Sequence, residues 1–262
     1  MNSRLTDHVG RRVVFRYPPE RIVSLCPSLT ETFFALGLDD RIVGRTVYCT
    51  RPPDRVRTVP TVGGTIDVDT QAVAELSPDL IVAQKEENAR AIVEDLSRSY
   101  PVYVVNVESY DDALRTIADL GDITGQREQA LRLVANVKGK FADLTPIQPK
   151  RVAYLVWNEP YMAAGSKTYI DSLLEMCGLT NVCKSLRSRY PKLTPEDLRT
   201  LAPEVVMLSS EPFPFDESHA DELRTLLPEA AVLLVDGELM SWFGPRMLDA
   251  PVYLARLLDR IS

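Results

Sequence analysis

Val68-Asp-Thr-Gln-Ala-Val-Ala-Glu-Leu-Ser-Pro-Asp-Leu-Ile-Val-Ala83 and Leu193-Thr-Pro-Glu-Asp-Leu-Arg-Thr-Leu-Ala-Pro-Glu-Val-Val-Met-Leu208 stand 125 residues apart in a chain of 262. Each reads as a capped helix, a Leu-x-Pro-acid turn and a short apolar run. A run of this kind, with no polar alternation, is what a strand covered on both faces requires. Leu36-Gly37-Leu38 and Cys177-Gly178-Leu179 form a second matched pair, each closing the first helix of its half. Two matches in the same order point to an internal duplication.

Outward from these stretches, further strands are expected at Arg21–Leu25, Val102–Val107, Arg151–Trp157 and Val232–Val235. Helical periodicity falls between them, at Glu31–Leu36, Asn88–Ser97, Asp111–Thr124 and Ile170–Cys177. Alternation of this kind predicts an α/β protein with two Rossmann-like lobes and mostly parallel sheets. Gln126–Leu144 differs, because Ala130, Val134, Val137, Phe141 and Leu144 put one apolar stripe on an uninterrupted helix. At 1.5 Å per residue it would run about 28 Å. Its mid-chain position predicts a bridge, giving an N-terminal lobe over 1–125, a bridging helix over 126–145 and a C-terminal lobe over 146–262. Two such lobes place a ligand in the cleft between them, near the carboxyl ends of their strands.

Composition narrows the chemistry. The chain carries 30 Lys and Arg against 37 Asp and Glu, a net charge of −7 that argues against nucleic acid as a partner. No apolar run is long enough to span a membrane. The first residues lack the apolar core of a secretory leader, so the sequence as it stands reads as cytoplasmic, or as periplasmic or extracytoplasmic if a leader has been removed. Cys26, Cys49, Cys177 and Cys183 show no CxxC spacing and are expected as unlinked buried thiols. Only His8 and His219 are present, both in stretches without a clear structural pattern, which disfavours a histidine metal site or a Ser-His-Asp triad.

The candidate binding residues lie after strands. Ser28 and Glu31 have capping-box spacing, and the amides of that helix start are also suited to an anionic group. Gly63 with Gly64 either turns the chain or lets a ligand approach bare backbone. Gln84-Lys85-Glu86-Glu87-Asn88 follows a strand and reads as a solvated helix start, with one polar contact to a ligand open to it. Trp157, Tyr161, Phe213, Phe215 and Trp242 occupy loops rich in Pro and Gly, where they either pack lobe against lobe or line a pocket for a large flat ligand. Arg246 either pairs with Asp249 or anchors an anionic substituent. No catalytic or metal-binding motif appears, and Asp216-Glu-Ser-His219 reads as a solvated loop.

With these motifs together, the chain resembles the substrate-binding proteins of cobalamin and iron-chelate ABC importers, and particularly their cobalamin-binding branch. The resemblance rests on Pro19-Glu-Arg-Ile-Val-Ser-Leu-Cys-Pro-Ser-Leu-Thr-Glu31, Val47-Tyr-Cys-Thr-Arg-Pro-Pro53, Leu76-Ser-Pro-Asp-Leu-Ile-Val82 and Trp242-Phe-Gly-Pro-Arg246. It implies a non-enzymatic, monomeric receptor with no cofactor and no metal site of its own. The implied ligand is a preformed chelate, a cobalamin, haem or ferric siderophore, held in the cleft and delivered to an ABC permease. The resemblance places Tyr48 at a cleft tyrosine and Tyr190, by its aromatic character alone, at a cleft tryptophan; with the loop residues read above, the expected ligand contacts are Tyr48, Gly63, Lys85, Trp157, Tyr161, Tyr190, Phe213, Trp242 and Arg246. Val62 and Gln84 stand where the family has further cleft tryptophans, so the stacking set is reduced. Glu196 matches a permease-docking glutamate, and its counterpart by the repeat is the uncharged Gln71. A cytosolic chelate-binding or sensing protein without a permease is the alternative, and a tetrapyrrole metal chelatase is a third reading that the two histidines make poor.

Overall fold

The computed structural model describes residues 2–261, which form two compact units. The first takes in residues 2–107, 111–137 and 243–245, and the second takes in 108–110, 138–242 and 246–261.

The first unit opens with a hairpin of β1 (Asn2–Thr6) and β2 (Arg12–Arg16), which the apolar pattern did not announce. His8 sits in its turn, with its ring largely buried and Nε2 2.9 Å from Asp119 Oδ2. The expected absence of structure around His8 is thus corrected: the anchoring partner is more than a hundred residues away in sequence. The chain continues through β3 (Ile22–Ser24), α1 (Pro27–Ala35), β4 (Ile42–Arg45), α2 (Pro53–Val56), α3 (Thr70–Leu76), β5 (Leu80–Gln84), α4 (Arg90–Leu96), β6 (Val102–Val105) and α5 (Tyr110–Thr124). The sheet is fully parallel in the order β4-β3-β5-β6, and every residue of β3, β5 and β6 is buried. Both sheet faces are therefore covered, as the unbroken apolar runs require.

α6 (Arg127–Ala142) is three residues shorter than the predicted Gln126–Leu144, with Ala130, Leu133, Val137 and Phe141 buried along one stripe. The chain passes from the first unit to the second within it. The second unit contains β7 (Arg151–Trp157), β8 (Tyr161–Ala163), α7 (Tyr169–Met176), β9 (Thr180–Asn181), β10 (Lys192–Leu193), α8 (Pro195–Leu201), β11 (Val205–Ser209), α9 (Glu217–Leu226), β12 (Ala231–Val235), α10 (Gly237–Ser241) and α11 (Ala250–Asp259). Its sheet runs β10-β8-β7-β11-β12, with β9 also on β7. β7, β11, β12 and β9 are mutually parallel, and the short β8 and β10 make antiparallel pairings.

The matched sequences fold alike. α3 and α8 each end in a left-handed residue, Ser77 (φ 46°) and Ala202 (φ 43°), before the Pro-acid turn. An arginine at the amino end of the neighbouring strand closes each turn. Arg21 donates to the carbonyls of Leu76 and Ser77, and Arg151 to those of Leu201 and Ala202. The acid of the turn answers: Asp79 accepts from the Arg21 amide, and Glu204 from the Arg151 amide. Leu36-Gly37-Leu38 and Cys177-Gly178-Leu179 also repeat in detail. Gly37 and Gly178 have φ of 76° and 81°, and the following leucine amides bond back to Phe33 and Leu174. This is the closure that glycine at positive φ permits at a helix end.

Two further local expectations are corrected. Ser28 is not a cap: α1 starts at Pro27 with Cys26 in the cap position, because proline's fixed φ suits the first helical turn. Asp216–His219 is not a loop but the start of α9. Asp216 caps the Ser218 and His219 amides, and the His219 ring answers the Asp216 amide. The Ser218 hydroxyl, then the His219 amide and ring, hold the Asp216 carboxyl down at about 2. All four cysteines are free and buried, as expected.

At the start of α7, the Tyr169 hydroxyl is buried and has no hydrogen-bond partner among the described residues. Tyr169→Phe should leave the fold intact and raise stability by about 1 kcal/mol, since a buried unsatisfied hydroxyl carries a desolvation cost. Denaturant unfolding checks this, and a loss of stability would show a missed partner. Arg21→Ala and Arg151→Ala should each destabilise the chain by about 1–2 kcal/mol in the same experiment, because each leaves two helix-terminal carbonyls without their charged donor.

Candidate functional site

In the first unit, β3, β4 and β5 are parallel, so Leu25–Cys26, Thr46–Tyr48 and Gln84–Lys85 leave the sheet at one end. A parallel bridge between Arg45 and Thr61 brings the glycine loop to that end as well. The Val47 amide donates to the Gly63 carbonyl at 2.9 Å. Gly63 has φ +88°, and a Cβ there would lie 2.6 Å from the Asp67 carbonyl, so the turn needs glycine. A Cβ on Gly64 would lie 3.2 Å from the Tyr48 ring. These contacts leave Val47, Tyr48 (57% exposed) and Ile66 (70% exposed) as apolar surface at the carboxyl end of the sheet.

One buried amide ties these loops together. Asn88 Nδ2 donates to the Leu25 carbonyl at 3.0 Å and to the Thr65 carbonyl at 2.9 Å, while Oδ1 accepts from the Gln84 amide at 2.9 Å. The stretch read as a solvated helix start is therefore a buried turn at Gln84 and Asn88, with α4 beginning only at Arg90. Gln84 itself is buried and takes a hydrogen bond from the Cys26 thiol. Lys85 is exposed, and its amide is held by the Val105 carbonyl. Burial pushes the Cys26 thiol up, helped by the charges of Glu87 and Cys49, and burial likewise raises Cys49. Neither offers a ready thiolate.

In the second unit, Trp157 ends β7 and pairs with Met162 of β8, so Tyr161 lies at the carboxyl end of the parallel strands. Glu211, Phe213 and Phe215 follow β11. The rings of Trp157 and Phe213 meet edge-on at 5.7 Å, Phe213 and Phe215 at 4.8 Å, and His219 closes on both phenylalanines at 5.1 and 5.5 Å. Phe215 belongs to the unit's core, and Tyr161 and Phe213 pack against that core from its edge. Trp157 remains 42% exposed at the top of this aromatic stack. Tyr190 is half-buried before β10, near the strand edge where the Ala163 and Gly165 amides bond to the Pro191 and Arg189 carbonyls.

Trp242 is placed differently from the other aromatics. It is buried, and its indole and the Ser241 hydroxyl both donate to Glu211. Arg246 lies with its guanidinium 5.9 Å from the Trp242 ring centroid and 3.6 Å from Glu238. The structure thus pairs Arg246 with Glu238 rather than Asp249, which packs at the next helix start and donates its amide to the Arg246 carbonyl. Burial raises the Glu211 carboxyl, and the neighbouring Glu238 and Asp236 add to the shift against the two donors.

Gln71 and Glu196 occupy equivalent positions in the first turns of α3 and α8. Both are exposed; Gln71 donates to Glu75 at 3.1 Å, and Glu196 pairs with Arg199 at 3.2 Å. Among the described residues, no group of three His, Cys, Asp or Glu is arranged to hold a metal. The arrangement therefore offers each sheet's carboxyl end as an aromatic or aliphatic surface with a few charged side chains beside it. Sequence reasoning did not find Asn88 or Glu211 as organising residues. The signal in each case was a polar side chain just beyond an apolar strand, at the point where loop backbone must find partners.

A family model described as periplasmic binding protein matches residues 22–225, which takes in the sheet ends of both units. The chain belongs to that family. Among its relatives, an uncharacterised ABC transporter substrate-binding lipoprotein of Bacillus subtilis is 26% identical over 269 residues, covering 96% of this chain and 83% of the relative. The periplasmic vitamin B12-binding protein of Vibrio cholerae superposes with a TM-score of 0.77 at 22% identity, over 93% of this chain and 98% of that one. A periplasmic haem-binding protein of the same organism superposes with a TM-score of 0.75 at 23% identity, over 91% and 98%. The two likenesses are equally close, so they establish the two-lobed α/β family fold without selecting a ligand.

Glu211 generates a pH prediction. Its carboxyl holds a proton to higher pH in the folded than in the unfolded chain, so ionising it costs stability as pH rises from the ordinary glutamate value towards neutrality. Glu211→Gln should therefore melt higher than the parent near neutral pH, with the gap closing as pH falls to the ordinary glutamate range. Thermal melts across pH 4–7.5 test this; a gap that widens on acidification would reverse the sign.

Proposed function

We propose that this chain is a non-enzymatic binding protein for a metal chelate, a corrinoid, haem or ferric siderophore, that serves an ABC importer. The observation that carries the reading is the aromatic group from Trp157 through Phe213 at the sheet end of the second unit; the first unit has exposed apolar side chains of its own at Val47, Tyr48 and Ile66. Apolar surface held at strand ends by buried polar ties suits the broad face of a macrocycle or an aromatic siderophore. The names of the relatives support the ligand class, because they include B12-binding, haem-binding and importer-associated proteins. His8 and His219 are both engaged in local structure, which speaks against a chelatase and for a ligand that arrives with its metal already coordinated.

An extracytoplasmic site of action goes with the importer reading, and Glu196 is the permease-facing residue in it. Gln71 at the equivalent position lacks the charge, so docking through the first unit would rest on a weaker contact. That observation keeps a permease-independent chelate-binding protein as the second reading.

Titration with cyanocobalamin, haemin and a set of ferric siderophores, followed by absorbance and by melting temperature, tests the proposal. One chelate should bind and raise the melting temperature by mass action; no response to any of them overturns the reading. Trp157→Ala should weaken that chelate at least tenfold while leaving the ligand-free melting temperature nearly unchanged. Trp242→Ala is the contrasting variant: its indole is buried, so it should lose about 3 kcal/mol of stability whatever its part in binding.

A further inference from the structure

Away from the sheet ends, a half-open groove of about 370 Å³ lies in the first unit beside the β1–β2 turn. Leu5, His8, Tyr103, Arg115, Asp119 and Ile123 contribute to its lining. Two oxygens at it, Asp119 Oδ1 and the Tyr103 hydroxyl, have no hydrogen-bond partner among the described residues. His8 Nδ1 accepts from the Asn106 amide at 3.3 Å, which places the ring hydrogen on Nε2, 2.9 Å from Asp119 Oδ2. Asp119 thus receives a hydrogen bond from an uncharged imidazole, and among the described residues its carboxylate has no Arg or Lys partner. Its other oxygen, Oδ1, accepts no hydrogen bond among them. The other carboxylates of the groove are paired, Asp7 with Arg11 and Asp122 with Arg127. Arg115 is paired with Asp112.

Tyr103 carries the second of these oxygens. It is only 3% exposed, it lines the groove, and its hydroxyl makes no hydrogen bond among the described residues. Its ring is fixed edge-on to His8 at a centroid distance of 5.7 Å. The ring is buried while the hydroxyl opens onto the groove, where a ligand group can take the place of solvent as its partner. An unneutralised carboxylate and a phenol oxygen, with Leu5 and Ile123 supplying apolar wall, form the complement of a primary ammonium on a short alkyl chain. Such a group brings three N–H donors and one positive charge. We infer that this groove is a second binding site, separate from the sheet-end surfaces, and that its ligand class is a small primary alkylamine held by Asp119 and Tyr103.

The probe is n-butylammonium chloride, titrated into the full chain while the His8 ring resonances are followed by NMR, with sodium chloride matched for ionic strength. A saturating shift is expected for n-butylammonium, and little shift for tetramethylammonium, which has the charge but no N–H. Tyr103→Phe and Asp119→Asn should each weaken binding at least tenfold. Both keep the volume of the side chain, and an unchanged ligand-free melting temperature verifies that each folds. Absence of a saturating shift, an equal response to tetramethylammonium, or unchanged affinity in both variants would each overturn the assignment. The readout is local to His8, so its result is independent of whether a chelate binds elsewhere.

Discussion

A parallel sheet buried on both faces leaves its polar backbone accessible only where strands begin and end, and the rest of this structure follows from how those ends are closed. At the amino ends the solution is electrostatic and is made twice. Arg21 and Arg151 each draw a left-handed helix terminus onto the start of a strand, with Asp79 and Glu204 answering through the arginine's own amide. The carboxyl ends are closed differently, by buried single side chains. Asn88 joins three loop segments in the first unit, and Glu211 collects Ser241 and Trp242 in the second. The amino ends are thereby committed to stability, and the carboxyl ends are left free to differ between the two units.

That division explains what the sequence revealed. The Leu-x-Pro-acid turns, the glycine closures and the apolar runs are local, so their offset of 125 residues reappears as superposable hydrogen bonds around Ser77 and Ala202. The β1–β2 hairpin escaped because its stabilising contacts are distant: Asp7 and His8 bond to β6 and α5, and no period within residues 2–16 shows it. The short β8, β9 and β10 escaped because two or three residues carry no period at all.

The candidate site was legible in part. Trp157, Tyr161 and Phe213 were found from their position after strands, and the structure brings the rings of Trp157 and Phe213 into contact while Tyr161 packs against the same core as Phe213. Trp242 came from the same rule but lies buried, because Glu211 holds the indole from a loop far away in sequence. Arg246 likewise chose Glu238 over the nearer Asp249. Partners across a fold are set by tertiary geometry, so a residue's chemistry could be read from its neighbours in sequence while its company could not.

The membership of residues 243–245 in the first unit has a consequence for biosynthesis. Phe243 is almost fully buried there, and Gly244 comes so close to α1 that a Cβ would lie 2.1 Å from Thr32 Oγ1. A chain emerging from the ribosome therefore has the strands of this unit long before it has the last piece of its packing. Until the chain has been made as far as Pro245, the unit must wait in an incomplete state with apolar surface near Thr32 uncovered. Nascent chains stalled before Phe243 should be the species that depend most on chaperones.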